Sequence, residues 1–266
     1  MPFGSSYAKE MQSRNGSKGS KESAYMRWQG ERIIRVIGAE KVYRSFYFPV
    51  NIGGRTVGRS IVMHNSFDNP MQKYMQSLGE DHPKFRKMSF RIITNVLDRT
   101  PVLRGSDDET IYPDEKGKFP VKGDPQLNNR VYLLEFGRNV MDQFQMLNER
   151  SRHPKTFQPI TINDMDVIIR TSGTGTSQSR HVFPDNAPHA ADLLPEDLIN
   201  DTMIYDLDLA VRPMPYESQE RLINGDDYGE VLKDLGWEPL RPSIHLSSVI
   251  DVGTTPTSKN EEKELF

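Results

Sequence analysis

The sequence predicts a mainly β domain with added helices, an α+β chain, on three observations. Short segments dense in β-branched and aromatic residues recur between Gly, Pro and Asn turns. One amphipathic stretch of helical period lies among them, and the acidic remainder reads as short helices. At 266 residues, 35% hydrophobic and a mean hydropathy of −0.65, the chain can bury one sizeable core with a small appendage.

Residues 1–24 are rich in Ser, Gly, Lys and Asn. They cannot offset their own ordering entropy, so a disordered basic arm is expected there. Residues 31–38 (ERIIRVIG) alternate as a strand. A second strand spans 41–52 (KVYRSFYFPVNI), and Asn51-Ile52-Gly53-Gly54 turns it into a partner at 59–64 (RSIVMH). Pro70 at the first helical position opens a short helix that Gly79 stops.

The longest strand is expected at 85–97 (FRKMSFRIITNVL). Residues 105–129, with three prolines and a group of acids near Asp107, read as a loop inserted at a hairpin end before the strand 130–136 (RVYLLEF). After Gly137 comes RNVMDQFQMLNER, whose Val140, Phe144 and Leu147 form one helical stripe. A second hairpin joins 166–171 to 178–183 through the turn SGTGTS. From Pro184 the chain turns acidic, with helices expected around 195–200, 217–224 and 228–235.

Several short aromatic strands with one helix among them suggest a five-stranded Greek-key barrel of the OB type. The expected organisation is that barrel core at 25–185, an acidic helical extension at 186–250 packed on or near it, and a flexible acidic tail at 251–266.

Charge divides the chain. Residues 1–100 hold 17 Lys/Arg against 8 Asp/Glu, whereas 184–250 hold 4 against 14. A basic half joined to an acidic one suggests a polyanion-binding surface with an acidic appendage. There is no cysteine, which excludes disulfides, thiol catalysis and thiolate zinc sites. No apolar run is long enough to span a membrane, and the first residues lack the apolar stretch of a secretory signal, so a cytoplasmic location is expected.

Sequence patterns for catalysis fail one by one. Gly173-Thr174-Gly175-Thr176-Ser177 lacks the spacing and the Lys of a phosphate-cradling loop and reads as a hairpin turn. Asp164/Asp166 and Asp206/Asp208 are the only candidates for a two-metal nuclease, and a chance DxD is expected in so acidic a half. The six histidines share no ligand spacing, and no GxSxG elbow occurs.

What remains is a basic excess interleaved with aromatics. Arg44, Arg55, Arg59, Lys73, Lys84, Arg86, Lys87, Arg91 and Arg138 are the candidate phosphate contacts. Tyr43, Tyr47, Tyr74, Phe85 and Phe90 are the candidate rings for stacking on bases. Cations along a groove release counterions from phosphates, and rings stack on unpaired bases at about 1–3 kcal/mol each. Strand alternation puts some of these rings inside the barrel instead.

The order of segments resembles the single-stranded-DNA-binding (helix-destabilising) proteins of T4-type tailed bacteriophages. The segments that carry the resemblance are GERIIRVIG, FYFPVNIGG, KFRKMSFRIITNVLDRTP, RVYLLEFGRNVMDQFQML and MDVIIRTSGTGTSQSRHVF, covering most of residues 25–185. The resemblance implies an OB core that coats single-stranded DNA without sequence preference in phage replication, recombination and repair, within the infected bacterial host. It further implies self-association on DNA through the N-terminal arm. An acidic tail, here Glu261, Glu262, Glu264, Leu265 and Phe266, would recruit replication and recombination proteins. The chain departs from the family's pattern at a structural zinc site, because it has no cysteine and only His64 and His82 lie in that region. No zinc and no other cofactor is therefore expected, and the helix from Pro70 must fold without metal. The rival readings are a metal-dependent phage nuclease and a protein-interaction or scaffold module using the acidic helices. Stacking and phosphate contacts leave DNA and RNA both open.

Overall fold

One strand of 22 residues, β1 (Glu31–Ile52), runs the length of the molecule. The computed structural model describes residues 23–26, 30–66, 68–105, 110–114, 117–173 and 178–250; residues 1–22 of the arm expected at 1–24, and the tail at 251–266, lie outside them. The two strands expected at 31–38 and 41–52 are one. A register shift between Ile37 and Lys41 absorbs the irregularity without ending the pairing with β3 (Ser89–Asp98).

On its other edge β1 takes two partners in turn. Its end runs through Gly53 and Gly54, both at positive φ, into the hairpin strand β2 (Arg55–Met63). Two consecutive left-handed residues make the tight turn that matches strand twist, and glycine adopts them without steric cost. Helix α1 (Pro70–Leu78) follows, with Pro70 at its start and Gly79 just past its end, as the sequence predicts. The strand expected from Phe85 begins only at Ser89, so residues 79–88 are loop and carry Lys84, Phe85, Arg86 and Lys87.

The loop expected at 105–129 supplies two short strands that pair with one just before it. Strand β4 (Pro101–Arg104) pairs with both β5 (Thr110–Ile111) and β6 (Gln126–Leu127). Buried Asp98 ties it down, accepting from Thr100 N at 2.9 Å, Asn128 Nδ2 at 2.8 Å and Tyr112 Oη at 3.0 Å. Strand β7 (Arg130–Phe136) then pairs with β3, and α2 (Arg138–Arg150) buries Val140 and Phe144. The chain returns on the far side of β1 as β8 (Asp166–Ser172), which pairs with residues 31–35 and with β9 (Ser179–Pro184).

The resulting antiparallel sheet runs β7-β3-β1-β8-β9, with β2 added on β1. The fold is thus mainly β with a few helices. Among the described residues no pairing joins β7 to β9, so the sheet is not closed. Both outer edges are occupied in other ways. Leu133 exchanges backbone hydrogen bonds with Ala24 and Met26. Along β9, Gln143 of α2 stands in for a strand: its Oε1 accepts from Val182 N at 2.8 Å and its Nε2 donates to Arg180 O at 3.1 Å. Both devices satisfy backbone groups that an edge would otherwise leave open.

The acidic C-terminal region is α3 (Glu196–Asp201), β10 (Met203–Tyr205), α4 (Leu207–Ala210), α5 (Tyr216–Ile223), α6 (Tyr228–Asp234) and β11 (Pro242–His245), with β10 and β11 paired. It shares the core. Met214, Leu222 and Val231 pack with Phe46, Phe48, Val50, Met71 and Met75, while Tyr205 and Val211 pack with Tyr43, Ile93 and Leu133. Asn95 clasps Tyr205 with two backbone hydrogen bonds of 2.9 and 3.0 Å. Each fully buried large apolar side chain contributes about 1.5–3 kcal/mol. Exposed ion pairs such as Lys155–Asp192 contribute about 0–1 kcal/mol, so apolar packing governs where this region sits.

Candidate nucleic-acid interface

The pairing register sorts the candidate residues onto two faces. Paired residues of an antiparallel sheet point the same way, and neighbours along a strand point oppositely. Arg44 pairs with Phe90 and Met63, Val42 with Ile92, Phe46 with Ile61, and Phe48 with Arg59, so these share one face. Tyr43 pairs with Arg91 and Tyr47 with Ser60, and these share the other.

Two separate apolar clusters cover the first face. One, around Ile34, Val36, Val96, Leu134 and Phe136, is closed by α2 and β9; the other, around Phe46, Phe48 and Val50, is closed by α1, α5 and α6. Between them the cover is interrupted. Val42 is 58% exposed and Phe90 64% exposed there, on a face that is otherwise buried. β7 ends with Phe136 opposite Ile92, so Arg138, 93% exposed, emerges at the level of Phe90. Loop 79–88 leads directly into Phe90 and brings Lys84, Phe85, Arg86 and Lys87 to the same end of β3. The Arg86 guanidinium is steadied by its own loop, with Nη1 donating to Pro83 O at 2.8 Å and Phe85 O at 2.6 Å.

Two of the cations at this gap have weak competitors. Lys87 lies 3.7 Å from Glu80 and Arg138 3.9 Å from Asp142, all with exposed side chains. Such pairs are worth little in water and can be exchanged for phosphate. Lys73 is exposed on α1 and pairs with Asp68, which raises its pKa, chiefly through their hydrogen bond. Arg55 lies at the tip of the β1–β2 hairpin, about 26 Å along the strand from Arg44.

Several expected contacts are corrected. Tyr43 is no stacking ring. It is buried under the C-terminal segments, and burial first, then Glu135, pushes its hydroxyl pKa well up. Arg44 and Arg59 are buried, their guanidinium groups donating to His64 O and Gly58 O, which removes them from an open phosphate groove. Tyr74 is half-buried, edge-on to Phe48 at 6.0 Å. Tyr47 is half-exposed but on the opposite face from Phe90, as is Arg91, which sits 3.6 Å from Glu135. The Tyr47 ring lies across Gly58 so closely that a Cβ there would come within 2.1 Å of it.

The rings and cations therefore do not form one continuous channel. Phe90, Phe85, Lys84, Arg86, Lys87 and Arg138 gather at one end of β3. Val42 carries no signal in the sequence, where an aliphatic residue in an alternating strand reads as core; the break between the two clusters exposes it.

The carboxylates proposed for a nuclease each hold structure. Asp166 is buried and pairs with Arg35 at 2.7 Å and Arg99 at 3.5 Å, and Asp164 accepts from Thr161 N and Oγ1 at 2.9 and 2.7 Å. Asp206 caps α4 and Asp208 pairs with Lys41. Among the described residues no three His, Asp or Glu side chains are grouped to hold a metal ion, and no helix is long and apolar enough to cross a membrane. Helix α1 is held by buried Met71 and Met75 and by Gln219, which accepts from Met71 N at 3.3 Å and donates to Met214 O at 2.8 Å. No protein-family model matches the chain, and no curated protein matches it.

Proposed function

We propose that this protein binds single-stranded DNA without sequence preference, coating it in phage replication, recombination and repair within the infected host, and that it performs no catalysis. The observation that carries the reading is exposed Phe90, with Val42, in the gap between two closed clusters, with Lys84, Arg86 and Lys87 on the loop that leads into it and Arg138 just past the end of β7. An uncovered ring on a rigid strand offers a base a stacking surface, and cations around it meet the adjoining phosphates. Duplex DNA hides the faces of its bases, so this arrangement favours an unpaired strand.

The strand path β7-β3-β1-β8-β9, with α2 between β7 and β8, supports an OB-type core, a fold that is often only partly closed. The same reading assigns residues 1–24 to self-association on DNA and residues 261–266 to partner recruitment, as the resemblance to T4-type single-strand-binding proteins implies. No metal or cofactor takes part in it.

Fluorescence anisotropy with labelled oligo(dT) tests the proposal. Binding is expected to weaken steeply as salt rises, in proportion to the phosphates contacted. A flat salt response, or no binding at low salt, would overturn it. Incubation of labelled single strand with magnesium separates this reading from a nuclease, since a coat protein leaves the strand intact.

A further inference from the structure

Residues 151–160, between α2 and β8, hold an aromatic ring out in solvent on a strained backbone. Phe157 has φ +59° and is 78% exposed. Phenylalanine avoids this left-handed region, where Gly or Asn sits without difficulty, and an exposed ring contributes no burial. The fold alone thus gives no reason for a ring here.

The loop is nonetheless firmly built. Phe157 N donates to His153 O at 2.8 Å and His153 N to Gln158 O at 2.9 Å; Nδ1 of His153 accepts from the backbone amides of Lys155 and Thr156, each at 3.2 Å. Arg152 and Pro159 form a bridge at its base. Three cations precede the ring in sequence: Arg150, Arg152 and Lys155, the last paired with exposed Asp192 at 3.0 Å.

We propose that this loop is a second contact for unpaired nucleotides, with Phe157 stacking on a base and Arg150, Arg152 and Lys155 meeting the neighbouring phosphates. The inference rests on the single-strand reading above. Helix α2 links the two contacts: its 13 residues rise about 20 Å from Arg138, just past the end of β7, to Arg150 at the foot of the loop. Only an oligonucleotide long enough to cover that distance reaches both.

Phe157→Asn removes the ring and keeps the backbone comfortable, so the variant is expected to fold. In anisotropy titrations it should bind an oligo(dT) of about 16 nucleotides roughly tenfold more weakly, and one of about 4 nucleotides as well as the unchanged protein does. Phe90→Ala should weaken both. If Phe90→Ala weakens binding and Phe157→Asn leaves both lengths unaffected, the loop is not a contact, while the first site stands. If the unchanged protein binds neither oligonucleotide, the function itself is wrong and the inference falls with it. Altered self-association of Phe157→Asn without DNA, at unchanged DNA affinity, would make the loop a protein contact and also overturn the proposal. As a direct readout, the added fluorescence of Phe157→Trp should be quenched on binding the long oligonucleotide; an unquenched signal in the complex would count against stacking.

Discussion

Replacing Phe90 by Ala separates a binding ring from a core ring. Burying a phenylalanine fully and then truncating it costs about 3–5 kcal/mol of stability. Phe90 is 64% exposed, so most of that cost does not apply, and the urea midpoint should barely move. If a base stacks on it, about 1–3 kcal/mol of binding is lost, a weakening of about 5- to 150-fold for oligo(dT). Because no phosphate contact is removed, the slope of log affinity against log salt should stay the same. The triple variant Lys84→Ala, Arg86→Ala, Lys87→Ala should do the reverse, lowering that slope by about 2 for three contacts on a single strand. Anisotropy titrations of the three proteins over a salt series measure both effects. Unchanged affinity in Phe90→Ala with an intact fold, or an unchanged slope in the triple variant, would refute the stacking and phosphate assignments respectively.

Other residues bear on the scaffold. Asp166→Asn leaves buried Arg35 and Arg99 without their counter-charge, so a loss of about 3–5 kcal/mol is expected in urea unfolding. Gly58→Ala should destabilise by displacing the Tyr47 ring, and the penalty should shrink in a Tyr47→Ala background; equal penalties in the two backgrounds would show that the ring is not what the new methyl meets. Asp227 accepts from the backbone amides of Gly53, Gly229 and Glu230, which hold its carboxyl below the usual carboxylate range, the Gly53 bond foremost. Its folded value is the depressed one. The stability it supplies is therefore present above an unfolded value of about 3.9 and lost as pH falls through the folded value. Asp227→Asn should flatten the acid limb of a pH–stability profile, and an identical acid limb would remove this role.

Local signals were enough for most elements. Pro70 and Gly79 bound α1, and Gly53-Gly54 made the hairpin turn. Val140 and Phe144 set the buried stripe of α2, and short runs of apolar residues marked β7 and β8. In each case the cause lies within a few residues, in a fixed φ, a missing Cβ or a side-chain period. The start of β3 lies beyond such local signals: residues 85–88 look strand-like in composition, but strand identity needs a partner, and pairing with β1 extends only to Ser89.

Sequence alone determined which residue types were present, basic and aromatic and without cysteine, and the course of the short elements. Tertiary structure alone decided which of them face solvent. Tyr43 and Phe90 look alike in the sequence, each beside an arginine in a strand, yet one is sealed beneath Tyr205 and Val211 and the other stands open between two clusters. That difference arises from segments over a hundred residues away folding back onto one face and stopping short on the other. No window along the chain contains both the ring and what covers it.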